Sequence, residues 1–167
     1  MGAIKKLAFA TGCLCATLAS SQLFAQATTT FNVTATVIDS CDVSANNLAF
    51  GNVEPVNNLN IDAAGSVTVT CSLGTSYSVL LDDGANSSDG TVSTRRMKDA
   101  GTNYLSYQLY SDTLRTSVWG ETAATNDVTG IGTGLGVPIL VYGRIPSGQQ
   151  ATQTGSYTDT INVTLNF

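Results

Sequence analysis

The chain has 167 residues, 12 Asp and Glu against 7 Lys and Arg, no histidine and a net charge of −5. An acidic balance of this kind argues against nucleic acid and anionic membranes as partners. The lack of histidine removes the commonest general base and a common metal ligand.

Met1 to Lys6 is a short basic start, Leu7 to Leu18 an apolar run, and SSQLFAQA a stretch of small residues. This is the layout of a secretory signal peptide, and the run is too short to span a bilayer. Cleavage is expected after Ala25, with Ala27 as the alternative. Removing residues 1–25 takes away Lys5 and Lys6 and leaves about 140 residues, the size of one ordinary domain. A lipidation box around Cys13 is set aside, because it would leave the apolar stretch Leu14 to Phe24 on the mature chain. Cys13 and Cys15 leave with the signal. Cys41 and Cys71 remain, and a cysteine pair in an exported chain reads as a disulfide. With no third cysteine and no histidine, the pair has too few companions for a zinc site.

Just after the expected signal comes TTTFNVTATVIDSC, residues 28–41. Phe31, Val33, Ala35 and Val37 fall on one side of an extended backbone, and Thr30, Asn32, Thr34 and Thr36 on the other. Two readings are open here: an ordinary first strand paired inside its own domain, or a strand lent to another molecule.

Further strands are expected at Val67–Cys71, Tyr77–Leu81, Leu105–Leu109 and Val137–Ile145. Pro138 should sit near a strand start or at an edge, since it donates no ladder bond. Residues 82–90 and 99–101 carry turn residues throughout, and the Gly/Thr-rich stretch 122–136 reads as a loop. Tyr157 to Phe167 forms the last strand, with Ile161, Val163, Leu165 and Phe167 on one face. That strand reaches Phe167 with no residues left for another. Short strands, frequent turns and one cysteine pair predict an all-β antiparallel sandwich. A strand on offer near one end and a sheet short of one at the other predict complementation between subunits.

Candidates for chemistry are few. Asp82 and Asp83 are neighbours and would point to opposite faces of a strand. With Asn86 and Asp89 they lack the spacing of a calcium loop and read as a polar turn. Trp119 reads as a core or edge residue rather than a sugar platform. No catalytic residue, metal ligand or cofactor is assigned, and the chain is not expected to be an enzyme.

Leu105-Ser-Tyr107-Gln-Leu109-Tyr110-Ser-Asp112-Thr-Leu-Arg115-Thr-Ser-Val-Trp119-Gly120 resembles the YxLYxDxxRxxxWG segment of the spore coat protein U domain. Tyr142 to Pro146 and Gly155 to Phe167 resemble its closing pattern, and Ser40-Cys41 and Val69-Thr-Cys71 its cysteine positions. The same domain builds subunits of archaic chaperone–usher pili. The resemblance implies an incomplete immunoglobulin-like β-sandwich completed by a donor strand from another chain. It implies a pilus subunit with a periplasmic chaperone, an outer-membrane usher and other pilin copies as partners, without membrane insertion. Such a protein passes through the periplasm to the cell surface, where its fibre serves adhesion and biofilm formation. On this reading residues 1–25 are the signal, 26–39 the donor extension and 40–167 the pilin domain. Phe31, Val33, Ala35 and Val37 fall at the donor strand, with Ala35 small where the family can carry a larger side chain. Ile161, Val163, Leu165 and Phe167 border the groove where the chaperone docks. The alternatives are a secreted coat or matrix protein with the same domain and, behind it, a carbohydrate-binding module.

Overall fold

Strands alternate with turns in the computed structural model, which describes residues 24–150 and 152–167 and carries nine strands among them. Of the stretch 1–25 read as a signal peptide, residues 1–23 lie outside the described residues. The chain divides into two units, 1–36 and Val37–Phe167. In the first, the described residues carry no strand, and Phe31 and Val33 are exposed. The reading of residues 28–41 as a paired first strand is therefore corrected: among the described residues the first strand begins at Cys41.

In the second unit, β1 (Cys41–Asn46), β2 (Ile61–Cys71), β8 (Gly136–Ile145) and β6 (Gln108–Tyr110) form a four-stranded antiparallel sheet in the order β1-β2-β8-β6. A second sheet holds β7 (Val128–Ile131), β3 (Ser76–Leu81) and β9 (Val163–Asn166), in the order β7-β3-β9. β4 (Arg96–Lys98) and β5 (Tyr104–Ser106) make a separate hairpin. The period-2 pattern explains the layering. Val67, Val69 and Cys71 of β2 point inward and meet Tyr77, Val79 and Leu81 of β3 in one core, while Asp62 and Thr70 face solvent. The protein is an all-β antiparallel sandwich.

The expected loop 122–136 is corrected as well, because it contains β7. Gly130 disguised the strand. A Cβ at that position would stand 2.4 Å from the Tyr77 ring, so the ring requires glycine on the neighbouring strand. Pro138 sits near the start of β8 opposite Thr68, before the stretch Tyr142–Arg144 that pairs with β6.

The disulfide joins Cys41 and Cys71, which are register partners at the ends of β1 and β2. It fixes the place where the chain enters the sandwich.

Candidate functional site

β1 is an edge strand of one sheet and β9 an edge strand of the other. Between them runs a groove of about 510 Å³. Its floor is core: Val67, Leu81, Leu109 and Val141, all buried. Leu48 and Phe50, just after β1, form one wall, and Ile161 and Val163 the other. The 48–50 segment lies on the sheet because β8 carries Gly143 there; a Cβ would come within 2.8 Å of Leu48 and Phe50.

The β9 wall also offers backbone. Asp82 N–H donates to the Asn162 carbonyl at 3.2 Å, and the register continues Leu80 to Thr164 and Ser78 to Asn166. In an antiparallel ladder alternate residues turn their N–H and C=O toward the partner. Asn162, Thr164 and Asn166 are thus spent on β3, and Val163 and Leu165 present theirs to the open side. Among the described residues no strand occupies that side. An apolar trough flanked by unpaired ladder groups has the features needed to accept an extended segment with alternate apolar side chains.

The residues expected at this site are placed as follows. Ile161, Val163 and Leu165 are half-buried against the core. Phe167 differs: it is 63% exposed and lines a shallow depression with Tyr77 and Ile131 on the far side of β9. Val37, at the start of the second unit, is 92% exposed, and Phe31 and Val33 of the first unit are exposed at similar levels. Ala35 is also exposed. Sequence reasoning missed the opposite wall, Leu48 and Phe50. The signal was the alternation of Leu48 and Phe50 in NNLAFGN.

The carboxylates hold turns. Asp82 accepts from Gly84 N–H at 3.1 Å and from Asn162 N–H at 2.9 Å. Asp89 takes the Thr94 and Thr91 hydroxyls, which hold its carboxyl below the usual range. Trp119 is fully buried, with Nε1 donating to the Val79 carbonyl at 2.9 Å, so it offers no platform to a sugar. Tyr107 donates its hydroxyl to Asp159 Oδ2 at 2.7 Å beside the groove; burial first, then this carboxylate, push its pKa up.

Several of these positions belong to a known pattern. Residues 27–164 match the Spore Coat Protein U domain. The chain is 37% identical over 156 residues to "Protein U" of Myxococcus xanthus, covering 86% of each protein. Its fold is similar to a chain in the crystal structure of the CsuC–CsuE chaperone–tip adhesion subunit pre-assembly complex, from the archaic chaperone–usher Csu pili of Acinetobacter baumannii. That likeness has a TM-score of 0.59 at 22% identity over 79% of this chain, which spans only 40% of the solved one. The match over 27–164 and the close relative together place this chain in the Spore Coat Protein U domain family.

Proposed function

We propose that the protein is a structural subunit of a surface fibre, exported through the periplasm and assembled by the chaperone–usher route through donor-strand exchange. The observation that carries this reading is the groove between the open edges of β1 and β9. The donor is the segment containing Phe31, Val33, Ala35 and Val37, whose apolar side chains alternate as the groove requires. Before assembly a periplasmic chaperone covers the groove along Val163 and Leu165; at the outer-membrane usher the extension of another copy replaces it. Adhesion and biofilm formation are the uses of the finished fibre. The fold likeness to a pilus complex supports this reading.

The test is a gel of sheared surface material, unboiled and boiled. A fibre joined by exchanged strands gives an unboiled ladder of multimers that collapses to one band on boiling. A single band in both lanes overturns the proposal. A second reading, a coat or matrix protein, draws on the 37% identity to Protein U. Electron microscopy of the same material separates the two, since a coat gives no free filaments.

A further inference from the structure

The point where the extension joins the domain is fixed. The Thr75 hydroxyl, on a residue only 6% exposed, donates to Asp39 Oδ1 at 2.7 Å, and Ser72 N–H donates to the Ser40 carbonyl at 2.9 Å. This is the pole of the sandwich where β1 begins and β2 turns into β3. Apolar side chains stand uncovered around it: Leu73 in the β2–β3 turn, 83% exposed, and Leu135 just before β8, 73% exposed. Their turns are tied together, Gly74 N–H donating to the Gly132 carbonyl at 2.9 Å and Gly134 N–H to the Cys71 carbonyl at 3.0 Å. The opposite pole, where β2 begins and β8 ends, exposes Val56 and Leu59 on the 3₁₀ turn Pro55–Asn57 and just after it. That turn is held by Gly148 N–H, which donates to Asn58 Oδ1 at 2.6 Å.

We infer that these two apolar poles dock on each other, head to tail, between successive copies of this chain. The inference rests on the donor-strand reading and goes beyond it. Two residue steps separate Val37 from the anchored Asp39, and two residues span at most about 7 Å. A copy that takes Val37 into its groove therefore abuts the Leu73 pole of the copy that lends it. The end it presents also follows. A strand entering the groove from the acceptor's own Leu73 pole would bring the incoming subunit to where the acceptor's extension leaves. The strand instead enters at the other end and runs antiparallel to β9, whose C-terminal end points to the Leu73 pole. This sets Val56 and Leu59 of the acceptor against Leu73 and Leu135 of the donor. Single exposed apolar residues are ordinary; these stand at the two ends of a short tether. The contact is heterologous and repeats along a fibre without closing.

The test is a disulfide trap. Protein carrying Leu73→Cys and Leu59→Cys is assembled, oxidised with copper phenanthroline, boiled, and run without reductant. The expected result is a covalent ladder that reductant collapses. The control, Leu73→Cys with Leu140→Cys on the middle of β8, should give mostly monomer. An unboiled ladder with no covalent ladder after oxidation, or with one equal to the control, overturns the docking while leaving strand exchange standing. No unboiled ladder even from the unmodified chain overturns both. If the cysteine variant does not accumulate, Leu73→Asp with Val56→Asp replaces it. Facing carboxylates should cut multimer yield at least threefold at low salt, and unchanged yield counts against the contact.

Discussion

At the scale of single residues, buried and paired charges give the sharpest tests. Arg95 is 1% exposed and has no carboxylate partner among its hydrogen bonds. It donates to the Leu81, Asp82 and Trp119 carbonyls and to Gln108 Oε1, tying the end of β3 to the strand-like turn before Gly120. Burial pushes its pKa down, yet a guanidinium keeps its proton in proteins. Arg95→Met would leave several buried carbonyls without a donor, each costing roughly 1–3 kcal/mol. The expected loss is at least about 3 kcal/mol, read by denaturant unfolding of the assembled protein with the single Trp119 as the fluorescent probe. A loss under about 1 kcal/mol would mean that water replaces the side chain. Asp62 poses a different test. It accepts from Arg144 Nε and Nη2 at 2.7 and 2.8 Å and lies 3.3 Å from Arg115 Nε. The Arg144 bonds, helped by the charge of Arg115, hold its carboxyl below the ordinary 3.8. Asp112, through Ser117 N–H, and Asp99, through Asn103, shift the same way. A lowered folded-state value means stability that is present above the ordinary value and lost as pH falls through the lowered one. The protein should therefore weaken below about pH 4. The Asp62 side chain is 38% exposed, so Asp62→Asn should cost only about 0.2–1 kcal/mol at neutral pH. That difference should vanish toward pH 2 in urea midpoints; one that persists there would assign the cost to shape rather than charge.

At the scale of elements, β9 is the exposed flank of the groove, and removing Leu165 to Phe167 takes away half of it. The shortened chain would leave β3 and the core beside it uncovered, an edge open to aggregation or proteolysis. The expectation is no accumulation in the periplasm, checked by immunoblot of that fraction; normal amounts would show that β9 is dispensable. The disulfide between β1 and β2 closes a loop with a separation of 30 residues, worth about 3.6 kcal/mol in the chain-entropy model. Alkylation without reductant should label neither Cys41 nor Cys71, and Cys41→Ser with Cys71→Ser should lower the unfolding midpoint accordingly. Elements with clean alternation were legible in advance: Val67-Thr-Val69-Thr-Cys71 and Ile161-Asn-Val163-Thr-Leu165 each bury one face. β7 was not, because its third residue, Gly130, is fitted to the Tyr77 ring, a requirement set by a strand distant in sequence. The turn at Asp112 was legible only through resemblance. Its carboxylate accepts from Ser117 N–H at 2.7 Å and Thr116 N–H at 2.9 Å, and Arg115 takes φ 58 to reach back to the Gly143 carbonyl. No local propensity announces a left-handed arginine.

At the scale of the whole molecule, the two halves of the proposed joint lie in different parts of one sequence, so each can be broken alone. Phe31, Val33 and Val37 would gain about 1.5–3 kcal/mol each on full burial, and Ala35 less. Ordering the segment costs roughly 1–2 kcal/mol per residue of backbone, and each new ladder bond returns about 0.5–1.5 kcal/mol. These terms nearly offset one another, so a durable fibre depends on a high barrier to withdrawing the strand, a kinetic stability. Val33→Asp would put a carboxylate against the buried Val67, Leu81 and Val141 of another copy, a cost large enough to block insertion. The variant keeps its own groove, so it should fold on the chaperone, accept a strand from unmodified copies and terminate chains. Thr34→Asp changes the other face of the same segment and should assemble nearly as the unmodified chain does. Mixed expression gives the reading: Val33→Asp should shorten the unboiled ladder in proportion to its share, and Thr34→Asp should not. Equal ladders from the two variants would make the segment a loose tail and remove the donor strand from the account.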